Sequence, residues 1–148
     1  KLELKKYSTR EVVTKVMDMF PVKRKRIIID NHIPDEKIYI DVTKFTLALR
    51  NLLDNAIKYS SDNMEIYLIV VKNDDIEFQI KDSGIGVSKK NIHKVTESFY
   101  QENQTTSTKG FGLGLTICKK IIESHKGKLR IESEDKKGSC FILHLPTT

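Results

Sequence analysis

Apolar side chains recur at helical spacing in three segments of this 148-residue chain. The first segment begins after a capping box formed by Ser8 and Glu11, and it ends at Pro21, which cannot continue a helix. The pattern therefore predicts a first helix. Its apolar residues are Val12, Val13, Val16, Met17 and Phe20.

Two further helices are predicted by the same spacing. Asp41 is placed to cap the second helix, and Gly127 closes the third. The apolar stripe of the second helix consists of Val42, Phe45, Leu49, Leu52, Leu53 and Ala56. That of the third consists of Leu113, Ile117, Cys118, Ile121 and Ile122.

Short β-branched and alternating stretches predict the strands. The sequences "RIIIDNHI" and "KIYI" suit two strands joined by a turn at "PDE". A hairpin follows in "EIYLIVV" and "IEFQI", joined by "KNDD", and a second ends the chain around "EDKKG". The element order predicts one α/β domain over residues 1–148, an α+β two-layer sandwich with helices on one face of a mixed, mostly antiparallel sheet.

Periodicity fades between Val87 and Lys109, and "QENQTTSTK" in the second half of this segment has no apolar anchor. A segment of this length without periodicity predicts a mobile loop of the kind that carries function.

Composition narrows the class of protein. Cys118 and Cys140 lie in apolar surroundings without metal-ligand spacing, which predicts buried free thiols in a reducing compartment. The longest apolar run, "IYLIVV", is too short to span a bilayer. The net charge of +6 allows an acidic partner, but the basic run "KRKR" has no interleaved aromatic residues and favours a solvated loop over a nucleic-acid site.

The stretch "KGFGLGLTICKK" places Gly110, Gly112 and Gly114 directly before an apolar helical segment. Glycine lets the main chain approach a ligand, and the first turn of a helix offers unpaired N–H groups to anions. For a glycine cluster alone, a flexible loop that ends at a helix is the favoured explanation. The pattern G-x-G-x-G is neither the dinucleotide pattern nor a P-loop.

Polar groups elsewhere strengthen the ligand hypothesis. Asn51, Asn55 and Lys58 fall within about 60° on the second helix, opposite its apolar stripe. An ordinary solvated face would explain these three residues alone. The sequence "DSGIG", in which Asp82 ends an alternating strand, adds a second glycine-rich turn that folding alone does not require.

Four boxes in order, "NLLDNAIKYS", "DSGIG", "ESFYQ" and "GFGLGL", resemble the N box, first glycine box, F box and second glycine box of the ATP-binding catalytic domain of sensor histidine kinases. The resemblance covers nearly the whole chain. It implies three helices on a mixed sheet with a mobile ATP lid, the Bergerat-type fold shared with the ATPase domains of gyrase, Hsp90 and MutL.

The resemblance also implies the site. Asn55 becomes the Mg²⁺ ligand, with Asn51 as a secondary contact, Lys58 near phosphate and Tyr59 beside the nucleotide. Asp82 accepts a hydrogen bond from the adenine amine, where guanine would present a carbonyl. Gly84 and Gly86 border the base. The second glycine box implies that backbone N–H groups of Gly110, Gly112 and Gly114 hold the phosphates. The other predicted nucleotide-binding residues of this stretch are Lys109, Leu113 and Leu115.

Departures from the family pattern lie in the lid. Thr96 and Gln101 stand where the F box usually has phenylalanine and arginine, and Lys109 is the candidate substitute for that arginine. Phe111 replaces a small residue between the first two glycines.

No histidine of the chain has the setting of the family's phosphoacceptor. The resemblance therefore implies that this is a fragment, whose acceptor histidine lies upstream in a dimerising helical domain. His125 and His144 are predicted to be structural residues at a helix end and in a strand.

Three functions follow from these observations. The preferred one is a catalytic domain that binds ATP and Mg²⁺ and donates the γ-phosphate to that histidine, for transfer to a response regulator. An ATPase of the wider superfamily is the alternative, although Asn51 occupies the place of its water-activating glutamate. A basic module for nucleic acid or anionic lipid explains the charge but none of the boxes, so no nucleic-acid partner is expected. The resemblance further implies a cytoplasmic domain of a homodimeric, inner-membrane protein.

Overall fold

The computed structural model describes residues 1–20, 26–59, 64–82, 106–134 and 138–147, with the side chains of 59, 106–114, 133, 134 and 138 left out. Three helices and seven strands occur in these ranges. The order is β1 (Lys5–Ser8), α1 (Thr9–Met17), β2 (Ile27–Asn31), β3 (Lys37–Ile40), α2 (Val42–Tyr59), β4 (Ile66–Lys72), β5 (Ile76–Lys81), α3 (Thr106–Ser124), β6 (Lys128–Glu134) and β7 (Gly138–Leu145).

Five strands form the main sheet in the order β2-β4-β5-β7-β6. The β2–β4 pair is parallel and the other three pairs are antiparallel, so the sheet is mixed. Strands β1 and β3 form a separate antiparallel ribbon. The predicted architecture of three helices on a mixed, mostly antiparallel sheet is confirmed.

The start of α1 is fixed by the capping box that the sequence predicts. The Ser8 hydroxyl accepts a hydrogen bond from the N–H of Glu11 at 3.1 Å, and the Glu11 carboxylate accepts one from the N–H of Ser8 at 2.8 Å. Two of the amides that every helix start leaves unpaired are thereby satisfied.

Asp41 caps α2, also as predicted. Its Oδ1 accepts a hydrogen bond from the N–H of Lys44 at 3.1 Å, and its carbonyl accepts the first helical bond from Phe45 at 2.8 Å. The carboxylate Oδ2 also accepts from the N–H of Glu3 at 3.1 Å, so Asp41 ties the N-terminal segment to α2.

Alternation along the central strands decides which face the helices cover. Leu68 and Phe78 point into the core, where the ring of Phe78 meets Phe45 of α2 edge to face at 5.1 Å between centroids. Tyr67 points to the opposite, partly exposed face. The core is thus one layer between the helices and the sheet. Its largest buried side chains include Phe45, Phe78, Phe141, Leu49, Leu52, Leu53, Leu68, Ile80 and Leu115.

The predicted strands β2 and β3 exist, but they do not pair with each other. β2 joins the main sheet beside β4, while β3 pairs with β1, a strand that the sequence pattern did not predict. β1 is only four residues long and two of them are exposed lysines, so it carries too little apolar alternation to be recognised. The partners of β2 and β3 are therefore determined by packing in the folded core and not by the short turn that joins the two strands.

Helix α3 begins earlier than predicted. The sequence predicts a loop up to Lys109 and a glycine turn before the helix, whereas the backbone is helical from Thr106 onward. Glycine costs a helix conformational entropy, but it keeps its N–H and C=O groups for the helical hydrogen bonds.

Gly127 closes α3 for a reason other than positive φ. The left-handed residue is Lys126, at φ 63°, and the hydrogen bonds Lys126 N–H to Glu123 C=O (2.9 Å) and Gly127 N–H to Ile122 C=O (2.9 Å) form a Schellman end. A Cβ at Gly127 would lie 2.0 Å from the carbonyl oxygen of His144. Close approach to β7 therefore requires glycine there.

Both cysteines are free and buried, as the sequence predicts. Within the described ranges, no helix is long and apolar enough to cross a membrane.

Candidate nucleotide site

The polar residues of α2 do not all lie on a solvated face. Asn55 is buried, with 7% of its surface exposed, whereas Asn51 is half-buried and Lys58 is exposed. An ordinary solvated face, the alternative explanation of these three residues, therefore does not describe Asn55. A helical projection shows the angle of a side chain but cannot show that a second helix covers it.

The covering helix is α3, which runs antiparallel to α2. The N–H of Asp41 donates to His125 Nε2 at 3.0 Å, and the Cys118 thiol donates to the carbonyl of Ala48 at 3.2 Å. Ala48 of α2 lies seven residues after its capping residue Asp41, and His125, directly after α3, lies seven residues after Cys118. Seven residues are two helical turns, so successive steps of seven stay on one face of each helix.

One further step of seven brings Asn55 opposite position 111 of α3. That position is Phe111, flanked by Gly110 and Gly112 within the helical backbone of α3. The N box and the second glycine box, distant in sequence, therefore meet at the crossing of these two helices.

The amide of Asn55 has unused hydrogen-bonding capacity at this crossing. Its Nδ2 is buried without a hydrogen-bond partner among the described residues. A buried amide group left unpaired costs about 1–3 kcal/mol, so such groups mark places where a ligand or another group completes the bonding.

Asp82 follows β5 and is held by a residue that the sequence did not single out. The Ser139 hydroxyl donates to Asp82 Oδ2 at 3.0 Å, and the two main chains exchange hydrogen bonds of 2.9 and 3.2 Å. Ser139 lies in β7, 57 positions away. Its place after a glycine at a strand start is the one signal in the sequence, and it is too common to identify a site.

Asp82 and Asn55 lie toward the same end of the domain. The contact between Phe45 and Phe78 places α2 beside β5. The guanidinium of Arg26, just before β2, donates to the carbonyl of Ile57 near the end of α2. Because β2 is parallel to β4 and β4 is antiparallel to β5, the end of α2 lies toward the end of β5. Asp82 is four residues further along the strand, about 13 Å. Asn55 is ten residues further along the helix, about 15 Å.

The exposed end of α2 carries a charge pair. The Lys58 ammonium lies 3.2 Å from the Asp54 carboxylate, one turn earlier, and both side chains are substantially exposed. An exposed pair of this kind contributes little to stability, so Lys58 can exchange this partner for another anion at small cost.

Several predicted residues cannot be placed in the site. Gly84, Gly86, Thr96 and Gln101 lie outside the described residues, as do the side chains of Tyr59, Lys109 and Leu113. Leu115 is fully buried in the core.

The glycine box differs from its predicted geometry. In a helix that begins at Thr106, the N–H groups of Gly110, Gly112 and Gly114 are positioned to bond within the helix. The amides without helical partners belong to the first turn, at residues 106–109. The amides that are free to meet an anion are therefore at the start of α3 and not at the three glycines.

Among the described residues, the candidate ligand for a divalent cation is the amide of Asn55 and not a cluster of carboxylates. None of the described residues forms a cluster of three or more His, Cys, Asp or Glu side chains. A half turn of the Asn55 side chain exchanges its nitrogen and oxygen, which would place a neutral oxygen donor in the unpaired position. One such donor fits Mg²⁺, which keeps several waters and binds through few protein ligands together with substrate phosphates.

Comparison with known proteins identifies the family. Residues 40–148 match the family described as histidine kinase-, DNA gyrase B- and HSP90-like ATPase. Among relatives, the chain is 36% identical to the sensor protein RprX of Bacteroides fragilis over 98% of its own length, and 31% identical to the sensor histidine kinase WalK of Bacillus subtilis over 88%. It spans 30% and 23% of these two proteins.

Solved structures agree with this assignment. The catalytic domain of histidine kinase ThkA matches with a TM-score of 0.84 and 29% identity, covering 99% of this chain and 97% of that one. The mycobacterial sensor histidine kinase MprB matches with a TM-score of 0.80 and 26% identity, covering 97% of both chains. The chain therefore belongs to the histidine kinase-, DNA gyrase B- and HSP90-like ATPase family and has the fold of histidine kinase catalytic domains.

Proposed function

We propose that this chain is the catalytic domain of a sensor histidine kinase, which binds ATP with Mg²⁺ and donates the γ-phosphate to a histidine on a separate helical domain. The observation that carries this proposal is the buried Nδ2 of Asn55, which has no hydrogen-bond partner in the part of the chain that the structure describes. It lies opposite the glycine segment of α3 and toward the same end as Asp82. Membership of the family indicates ATP as the ligand, and these residues indicate where on the domain ATP binds.

Asp82 is the proposed reader of the base. Its carboxylate, held by Ser139, accepts a hydrogen bond from the exocyclic amine of adenine. Guanine presents a carbonyl at that position, which would leave an acceptor facing an acceptor. The proposal therefore includes selectivity for ATP over GTP.

The phosphates of the bound ATP are proposed to lie beside α2. Asn55 holds Mg²⁺ through its amide oxygen, and Asn51 lines the same helix one turn earlier. Lys58 and Lys109 supply positive charge to the phosphates, and the glycines of α3 leave room for them. Bound Mg²⁺ would neutralise part of the phosphate charge, and such charge stabilisation together with positioning accounts for most of catalysis in phosphoryl transfer.

Transfer to a histidine is favoured over hydrolysis by the identity of Asn51. A hydrolase needs a general base for water, and an amide cannot accept a proton at neutral pH. The transferred phosphate then passes to an aspartate of a response regulator. We place the domain in the cytoplasm, within a homodimeric parent protein of the inner membrane.

Calorimetric titration with ATP and with GTP tests the proposal. The domain should bind ATP, GTP should bind at least about tenfold more weakly, and Asp82→Asn should remove most of the difference. Equal binding of both nucleotides would overturn the role of Asp82.

Incubation with ATP labelled at the γ-phosphate tests whether the acceptor of the phosphate lies outside this chain. The 148-residue chain alone should remain unlabelled, because its histidines lack the acceptor setting. Stable labelling of the isolated chain, or steady release of phosphate that Asn55→Ala abolishes, would contradict the proposed transfer to another domain.

A further inference from the structure

Strand β3 has one open edge. Among the described residues it pairs only with β1, in a two-stranded ribbon separate from the main sheet. An unpaired strand edge presents N–H and C=O groups to which another extended chain can bond.

The hydrogen bonds around the ribbon show which residues face that edge. The N–H of Thr9 donates to the carbonyl of Glu36 at 2.9 Å, and bonding to a partner strand alternates from residue to residue. Ile38 and Ile40 therefore bond toward β1. The main-chain groups of Lys37, Tyr39 and Asp41 point away from it.

Two other contacts agree with this alternation of inward-facing and outward-facing main-chain groups. The N–H of Ser8, on the outer side of β1, is taken by Glu11 Oε1 at 2.8 Å. The N–H of Asp41 is taken by His125 Nε2 at 3.0 Å. His125 thus occupies the last amide of the β3 edge. The main-chain groups of Lys37 and Tyr39 have no hydrogen-bond partner within the described ranges.

This edge opens onto a groove of about 530 Å³ at the end of the domain away from Asn55 and Asp82. Its walls include Ile76 at the start of β5, Leu145 at the end of β7 and His125 after α3. Tyr39 and Leu4 also line it and are 63% and 53% exposed, high values for large apolar side chains. The groove offers apolar contact beside open hydrogen-bonding groups.

The charge around the groove is positive. Lys37 and Lys126 line it, and the Lys6 ammonium lies 5.5 Å from the ring centroid of Tyr39. Two of the nearby acids are engaged: Glu36 pairs with Lys72 at 3.2 Å, and the Asp41 carboxylate accepts two main-chain N–H bonds. An acidic occupant is therefore favoured over a basic one.

We infer that this groove, lined by β3, β7 and the end of α3, binds an extended segment of a separate protein that alternates acidic and apolar residues. The segment adds a strand to β3 through the main-chain groups of Lys37 and Tyr39. Its apolar side chains enter the groove, and its acidic side chains lie beside Lys37 and Lys126. Recognition of this kind takes its affinity from main-chain bonds and its specificity from alternate side chains.

A second copy of this chain fits the edge less well. Pairing β3 with another β3 would bring two sets of Lys6, Lys37 and Lys126 together, and like charges at close range oppose association. The edge strand β6 is protected differently, because charged side chains such as Arg130 and Glu132 line it.

The probe is a capped peptide of alternating glutamate and valine, titrated against the isotope-labelled 148-residue chain and followed by amide NMR shifts and exchange rates. We expect the Lys37 and Tyr39 amides to shift and to exchange more slowly. The counterpart peptide of lysine and valine should bind at least about tenfold more weakly.

Variants of the edge locate the interaction. Tyr39→Pro removes the outward N–H without removing a bond to β1, and Lys37→Glu reverses the charge; each should weaken binding about tenfold or more. Lys81→Glu makes the same charge change at an exposed residue at the end of β5, away from the groove, and should leave binding unchanged. The Lys37→Glu result stands even if the proline variant folds poorly.

Three results would overturn the inference. They are binding of both peptides with equal affinity, shifts confined to β2 or β6, and no shift of the β3 amides at peptide concentrations of about 1 mM. Concentration-dependent dimerisation through β3 without peptide would assign the edge to a second copy instead.

Discussion

The N–H of Asp41 donates to His125 Nε2 at 3.0 Å and so joins the start of α2 to the end of α3. The other ring nitrogen of His125 lies 2.9 Å from the carbonyl of Ile121, which assigns the proton to Nδ1. The imidazole is also packed against the ring of Phe45 at 5.8 Å between centroids. Both helices of the candidate site are therefore fastened at the end opposite the nucleotide residues.

His125→Ala should destabilise the domain by about 2–3 kcal/mol, because it removes two buried hydrogen bonds and leaves the Asp41 N–H unpaired. Urea unfolding followed by circular dichroism measures this. His32→Ala is the control, since the His32 and Asp30 side chains are more than half exposed and should matter by less than about 0.5 kcal/mol. Equal effects of the two changes would contradict the role of His125.

Asp41 should make the stability of the domain fall in acid. The N–H groups of Glu3 and Lys44 donate to its carboxylate and hold its pKa below the usual range. The folded chain therefore binds this proton less readily than the unfolded chain, whose Asp41 has a pKa near 3.8. The contribution is present above that value and is lost as pH falls through the folded pKa.

Urea midpoints measured between neutral pH and the acid limit of folding test this in Asp41→Asn. The variant should show a shallower acid decline than the natural chain. Part of the decline should remain, because the main-chain N–H of Ser8 also lowers the pKa of Glu11. Identical pH profiles for variant and natural chain would rule out the assignment to Asp41.

Both cysteines should be inert in the folded domain. Burial raises the pKa of Cys118 to about 12 and that of Cys140 to about 11, so almost no reactive thiolate exists at neutral pH. An alkylating reagent should label neither residue in the native chain and both in concentrated guanidinium chloride. Rapid labelling of Cys118 without denaturant would show that the packing of α3 on α2 opens readily.

Ser139 should matter for nucleotide binding through Asp82. Ser139→Ala removes the hydroxyl that donates to Asp82 Oδ2, and we expect ATP to bind about tenfold more weakly, equivalent to about 1.4 kcal/mol. Ser139→Thr keeps the hydroxyl and should restore most of the affinity. A purely structural effect would instead lower stability equally in both variants and leave the preference for ATP over GTP unchanged.

Local signals predicted the local structure well. The capping box of Ser8 and Glu11 and the hairpin of β4 and β5 depend on residues near each other in sequence, and both are confirmed. The partners of β2 and β3 depend on strands far away in the chain. No local pattern distinguishes a β2–β3 hairpin from the observed pairs.

The site was predictable in its residue types but not in its packing. Its glycines and amides stand out in the sequence, whereas the burial of Asn55 and the contact of Ser139 with Asp82 follow from β7 and α3 meeting distant elements. Such contacts join residues that are separated by more than 50 positions. Helical spacing and strand alternation carry no information about them.

The most direct test of the account is the Mg²⁺ dependence of ATP binding in Asn55→Ala. Calorimetry on the natural chain should show ATP binding that Mg²⁺ strengthens, and the variant should lose that Mg²⁺ effect while its unfolding midpoint stays the same or rises, because an unpaired buried amide is removed. Mg²⁺ dependence that persists in Asn55→Ala, or a natural chain that binds no ATP, would contradict the assignment of the site.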